Sequence, residues 1–235
     1  MNTLWEQFAF SASVTGPICL MLFLGVVLKR IGLINDNFID VASKVVFQVT
    51  LPAMLFLSIV QSHHDFAASG KLVIFGLLAN LAFFVFTTVS TKITFKKPQD
   101  QGVIVQGGFR ANTAIIGLAY VANMTLPLAL LCTGGSLDIR SLKEDKGPAW
   151  FSTGYKLVLA PLVITLTALF FGFRGLDLGL IFLMSAAPTA AASYVMARAM
   201  GGNSTLAANI IALTTVVSLI TCTLGIFVLT AMDLI

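Results

Sequence analysis

Charge is what this chain has least of: 10% of its residues are Asp, Glu, Lys or Arg, against about 25% in soluble domains. With 57% of the residues hydrophobic, that shortage excludes an ordinary soluble domain and makes the chain an integral membrane protein. Histidine is nearly absent. His63 and His64 stand with Asp65 in the polar loop from Gln61 to Gly70, without further ligands at metal spacing, so the loop reads as solvated. Cys19, Cys132 and Cys222 lie in apolar runs with no ligand spacing among them and read as small packing residues. No Asp or Glu falls at mid-depth of an apolar run, which weakens any proton relay or sodium site and leaves the coupling ion open. No hydrolytic, redox or metal-binding constellation emerges, so neither an enzyme nor a cofactor is expected. The net charge of +4 is no sign of nucleic-acid binding, because in membrane proteins the placement of Lys and Arg matters more than their sum.

What is there is a series of apolar runs. The first extends from about Ser11 to Leu28 around Pro17 and is followed, not preceded, by Lys29 and Arg30. This predicts a first span that is not cleaved and whose N-terminus is outside. Runs at about 41–60, 72–91, 155–171, 178–199 and 207–232 predict further spans, with Pro52 near the middle of the second, where it removes a backbone bond and opens the helix. Between them lies Val103 to Asp138, which carries Arg110, Asn112, Asn123, two glycine pairs and Pro127 through apolar sequence. At helical rise it would reach roughly 54 Å, too long for a core of about 30 Å, so it is expected to turn near Ala122 and Asn123.

Two crossings in this stretch give about eight spans. The inside loops and span ends then hold Lys29, Arg30, Lys44, Lys92, Lys96, Lys97, Arg140, Lys143, Lys146, Lys156 and Arg198, and the outside only Lys71 and Arg174. A single crossing would put Arg140, Lys143 and Lys146 outside, against the positive-inside rule.

The segment at Thr50-Leu51-Pro52 is matched by Thr125-Leu126-Pro127. Each is followed by an apolar span and then by a span broken by small and polar residues, at Arg110 to Ala114 in one half and Ala187 to Ala191 in the other. With two central crossings the halves run in opposite directions. Interrupted segments at corresponding places in inverted halves point to a secondary transporter with a midplane site, chance being the competing explanation for so short a match. Arg110 is the only cation well inside an expected span, at a cost of at least about 2.5 kcal/mol. It either meets a carbonyl, water or an anionic substrate, or snorkels to the inside face from near the start of its helix. Asn112 and Thr113 either bind substrate beside an opened helix or join helices by hydrogen bonds. Pro188, Thr189 and Ser193 form the equivalent break in the second half. Gly117 lies in the first broken span, and Gly201, Gly202 and Asn203 close the second.

At these residues the chain resembles the auxin efflux carrier family, and more closely its bacterial permeases. The matching stretches are VTLPAMLF, GGFRANTAIIGLAY, LPLALLCTGGSLD and MSAAPTAAASYVMARAMGGN followed by LAANIIALTTVVSLIT. The resemblance implies an all-α integral membrane bundle of two inverted repeats with crossed, broken helices, shortened here from ten spans to about eight. The first repeat would be about 8–121, the second about 122–235, together one transmembrane domain. The fifth and sixth spans are expected to be missing between about Tyr120 and Asn123. Ala119 also stands where relatives often have proline. Function is implied too: transport of a small organic anion, such as a dicarboxylate or an auxin-like acid, by alternating access. Arg110, Asn112, Thr113, Pro188, Thr189 and Ser193 would line the site, and Pro52, Pro127 and Gly117 would break helices. The expected partners are the anion and the lipid bilayer, with a homodimer left open. The expected location is a bacterial inner membrane, both termini outside. The competing expectation is a non-transporting remnant or a partner-dependent subunit of the same family.

Overall fold

The computed structural model of the chain describes residues 4–60, 70–110, 122–137 and 146–235, and among them every regular element is helical. The first helix, α1 (Leu4–Arg30), carries Glu6 in its first turn and Lys29 and Arg30 in its last, a charge placement that matches the helix dipole. Asn35 caps α2 (Asp36–Val45) by accepting the Phe38 N–H at 2.8 Å. A π-helical turn, Val46–Thr50, joins α2 to α3 (Leu51–Val60). Pro52 accounts for this widening, since its ring would strike the carbonyl one turn back in a regular helix. The pattern recurs where α7 (Lys146–Gly154) passes through the π-helical turn Tyr155–Leu159 into α8 (Ala160–Phe170), with Pro161 just inside. Pro127, by contrast, lies within α6 (Ala122–Gly135), which is helical on both sides of it.

The remaining elements are α4 (Gly70–Thr94), α5 (Pro98–Phe109), α9 (Gly175–Ala186), α10 (Ala192–Ala199) and α11 (Ser204–Ala231). Among the described residues three stretches are long and apolar enough to cross a membrane: Gly70–Thr94, Gly147–Phe170 and Ser204–Ala231. The protein is a multi-pass membrane protein. Only 11% of the apolar window of α4 is buried, as suits a helix that turns most of its surface to lipid.

Helix ends gather at two opposite faces. At one, Lys29 meets Asp36 (2.8 Å), Arg198 meets Asp40 (2.5 Å), Ser136 meets Tyr194 (2.6 Å) and Asn203 donates to Asp100 (2.8 Å). At the other, the Gly175 N–H reaches the Leu234 carbonyl and the Lys71 ammonium sits over the Phe173 ring. The start of α5 and the end of α6 therefore lie on the same face.

Close packing inside the first group depends on glycine. A Cβ on Gly134 would lie 2.1 Å from the Leu22 carbonyl oxygen, and one on Gly25 2.4 Å from that of Leu131. Contact of this kind between small residues is how membrane helices approach one another. The largest buried cluster runs from Ile18 and Leu22 of α1 through Ile39, Ile104, Leu130 and Tyr194 to Ile210 and Ile211 of α11.

The Arg198 guanidinium, donating to Asp40, holds that carboxyl below the usual carboxylate range. Because folding lowers this pKa, the contribution is complete above the unfolded carboxylate value of about 4 and fades as pH falls through the folded value. Asp40 is about half exposed, so Asp40→Asn is expected to cost no more than about 1 kcal/mol. Thermal unfolding at neutral pH checks this, and wild type and variant should converge in acid.

Candidate functional site

Two half-helices enter from opposite faces and stop side by side. α5 starts at Pro98, where the missing N–H is harmless, and α9 starts at Gly175, whose φ of +60° glycine alone adopts freely. Each is 12 residues long, or about 18 Å at helical rise, a little more than half of a 30 Å core. α5 ends at Arg110, whose backbone turns extended (φ −82°, ψ 111°), and α9 ends at Ala187 (φ −58°, ψ 143°). Pro188 follows, and the residue before a proline is disfavoured in helix.

The two breaks are joined through their backbones. The Ala190 N–H donates to the Arg110 carbonyl at 3.3 Å. Thr189 contributes twice: its hydroxyl donates to the Gly107 carbonyl at 2.8 Å, and its N–H to the Thr214 hydroxyl of α11 at 3.2 Å. Gly107 and Gly108 let the end of α5 close on α11 and α4, since added Cβ atoms would stand 2.8 Å from Ile210 and 2.9 Å from Thr87 side-chain carbons. Thr189→Val keeps the shape but removes the hydroxyl, leaving the Gly107 carbonyl unpaired at about 1–3 kcal/mol. The expected outcome is a lower melting temperature in detergent, with greater amide exchange at the ends of α5 and α10.

Arg110 lies at the far end of a 12-residue half-helix, not near the start of its helix, and its guanidinium donates to the Met196 sulfur of α10. A thioether is a weak acceptor, and among the described residues Arg110 has no carboxylate partner. Ser193, the second residue of α10, is buried, and among the described residues its hydroxyl has no partner. One turn before Arg110, the Gln106 side-chain oxygen is also buried and, among the described residues, unpaired. Buried polar atoms of this kind are uncommon and call for a ligand, water or strain. The start of α10 adds the partial positive charge of a helix N-terminus. Arg110, Pro188, Thr189 and Ser193 thus fall in one region. Asn112, Thr113 and Gly117 lie outside the described residues.

Sequence reasoning placed Lys156 at a span end, and the structure places it much deeper. The helix expected to begin near Tyr155 begins at Lys146, which sets Lys156 ten residues in and fully buried. Its ammonium donates to the Ser185 carbonyl in the last turn of α9 at 2.7 Å. Counting back to the charged loop ahead of Pro148 was the signal that could have found it.

Among the described residues no cluster of His, Cys, Asp or Glu forms a metal site. A cleft of about 520 Å³ runs beside α9, lined by Glu6, Leu176, Leu180, Leu183 and Ile226 among others. Its wall is apolar and Glu6 carries the wrong charge for an anion.

A family model described as membrane transport protein matches residues 117–226, which takes in the break at 187–191 and lies just past Arg110. No curated protein and no solved structure gives a significant match.

Proposed function

We infer, from the match of residues 117–226 to a family model described as membrane transport protein and from the resemblance to the auxin efflux carriers, that this chain moves a small organic anion across the membrane by alternating access. The observation that carries the reading is the meeting of two half-helices from opposite faces at mid-depth, with Arg110 between them and no carboxylate beside it. An intramembrane cation is expensive unless it has work to do. A bound carboxylate would answer Arg110, the buried Ser193 hydroxyl and the start of α10 together. Asn112 and Thr113 continue the first break along the sequence and complete the proposed lining with neutral donors.

Alternating access follows if the two repeats, about 8–121 and about 122–235, rock about this crossing. The face carrying Lys29, Arg30, Lys44, Lys97 and Arg198 is taken as the cytoplasmic side of a bacterial inner membrane, by the positive-inside rule. A dicarboxylate and an auxin-like acid both fit the charge of the site. Purified protein in liposomes, assayed for uptake and counterflow of radiolabelled succinate and indole-3-acetate, tests the reading. Uptake saturating above protein-free vesicles supports it. No uptake and no binding of either probe would favour a non-transporting or partner-dependent subunit.

A further inference from the structure

Lys156 is the most completely buried charged residue among those described, 1% exposed. Ten residues from the start of α7 is about 15 Å at helical rise, half of a 30 Å core and too deep for its stem to reach either surface. Its ammonium has one protein acceptor, the Ser185 carbonyl, and no carboxylate partner among the described residues. The π-helical turn that carries it packs against α5, α9 and α11. From α9 it meets the carbonyl end of the half-helix, and from α11 comes Cys222, whose thiol donates to the Ala186 carbonyl at 3.4 Å. On the α5 side, a Cβ on Gly108, two residues before Arg110, would stand 3.7 Å from Tyr155 Cβ.

Desolvating an ammonium for one carbonyl is a poor exchange in stability terms, since an apolar side chain of similar size is often neutral or better at a buried ionic position. Two of its three donors have no partner among the described protein atoms, and it stands beside a break whose other cation is Arg110.

We propose that Lys156 is a second cation of the anion site, exchanging the Ser185 carbonyl for a substrate carboxylate when the anion enters the break. The proposal rests on the reading of the chain as an anion transporter. The flexible four-carbon stem lets the ammonium swing without moving the helix. When it leaves Ser185, the last turn of α9 loses its tie to the π-helical turn, so binding the anion loosens one half-helix from its neighbour. Occupancy is thereby coupled to movement of the broken helix.

Two substitutions separate this role from simple capping of α9. Lys156→Met removes both charge and donor, whereas Lys156→Gln keeps an N–H for the Ser185 carbonyl and removes only the charge. Saturable uptake of succinate and indole-3-acetate is measured in liposomes for wild type and both variants, alongside thermal unfolding in detergent. Both variants are expected to raise the KM of the transported probe at least tenfold, with no fall in melting temperature. If Lys156→Met does not fold, Lys156→Gln alone decides. A wild-type KM in Lys156→Gln, whatever its maximal rate, overturns the proposal and leaves Lys156 as a helix cap. Wild-type protein that moves neither probe overturns the transporter reading as well.

Discussion

Arg110→Ala is expected to reduce anion uptake into liposomes by at least about 30-fold, equivalent to about 2 kcal/mol, while the purified protein stays folded. The guanidinium sits at the end of α5 with a sulfur as its side-chain hydrogen-bond partner, so its removal breaks no ion pair within the described structure. The backbone tie at this position is the Arg110 carbonyl accepting the Ala190 N–H, which alanine retains. Transport and stability should therefore separate: a large loss of flux with a nearly unchanged melting temperature. Arg110→Lys is expected to recover part of the activity, because it restores charge without the planar fork that grips a carboxylate at two points. Uptake at the wild-type rate in Arg110→Ala would remove Arg110 from the site. A collapse in melting temperature would make it a structural residue instead.

The second large effect belongs to a glycine. Gly134→Leu is expected to destabilise the protein by about 3 kcal/mol or more, at or above the usual cost of overpacking. The obstacle to a Cβ there is the Leu22 carbonyl oxygen at 2.1 Å, followed by two more backbone atoms of the same residue within 3.0 Å. A backbone carbonyl cannot turn aside as the end of a flexible side chain can, so α1 as a whole must move off α6. Because α1 also packs against α11, the displacement should spread into the main core. Gly16→Leu is the matched control, since nothing lies within 4 Å of a Cβ there. Thermal unfolding in one detergent compares the two, and equal melting temperatures would refute the packing argument.

These cases show unevenly how much of the candidate site was legible in advance. Pro188, Thr189 and Ser193 could be picked out because a proline and hydroxyls inside an apolar run have few structural uses. Arg110 could be picked out because a charge there is costly. Their pairing across two breaks could not, because the Thr189 hydroxyl reaching Gly107 depends on how two helices pass, 82 positions apart in the chain. Lys156 was hidden by a boundary. An apolar run can begin well inside the helix that carries it, and the first two turns of α7, with Lys146 and Pro148, do not look like membrane sequence. The two glycine pairs of the central stretch were visible, but their purpose was not. Gly134 gives α6 its approach to α1, and Gly107 and Gly108 bring the end of α5 to Ile210 and Thr87.

By itself the sequence determined the class of protein and where its apolar runs lie. Those properties follow from how many charges there are and where they interrupt apolar runs, and each is a local cost of placing a residue in lipid or water. Only the tertiary structure decided that the two broken helices meet, and that Lys156 stands buried against the last turn of α9. Depth and neighbourhood depend on where each helix starts and on which backbones come close enough to touch, and neither is a property of any one stretch of chain.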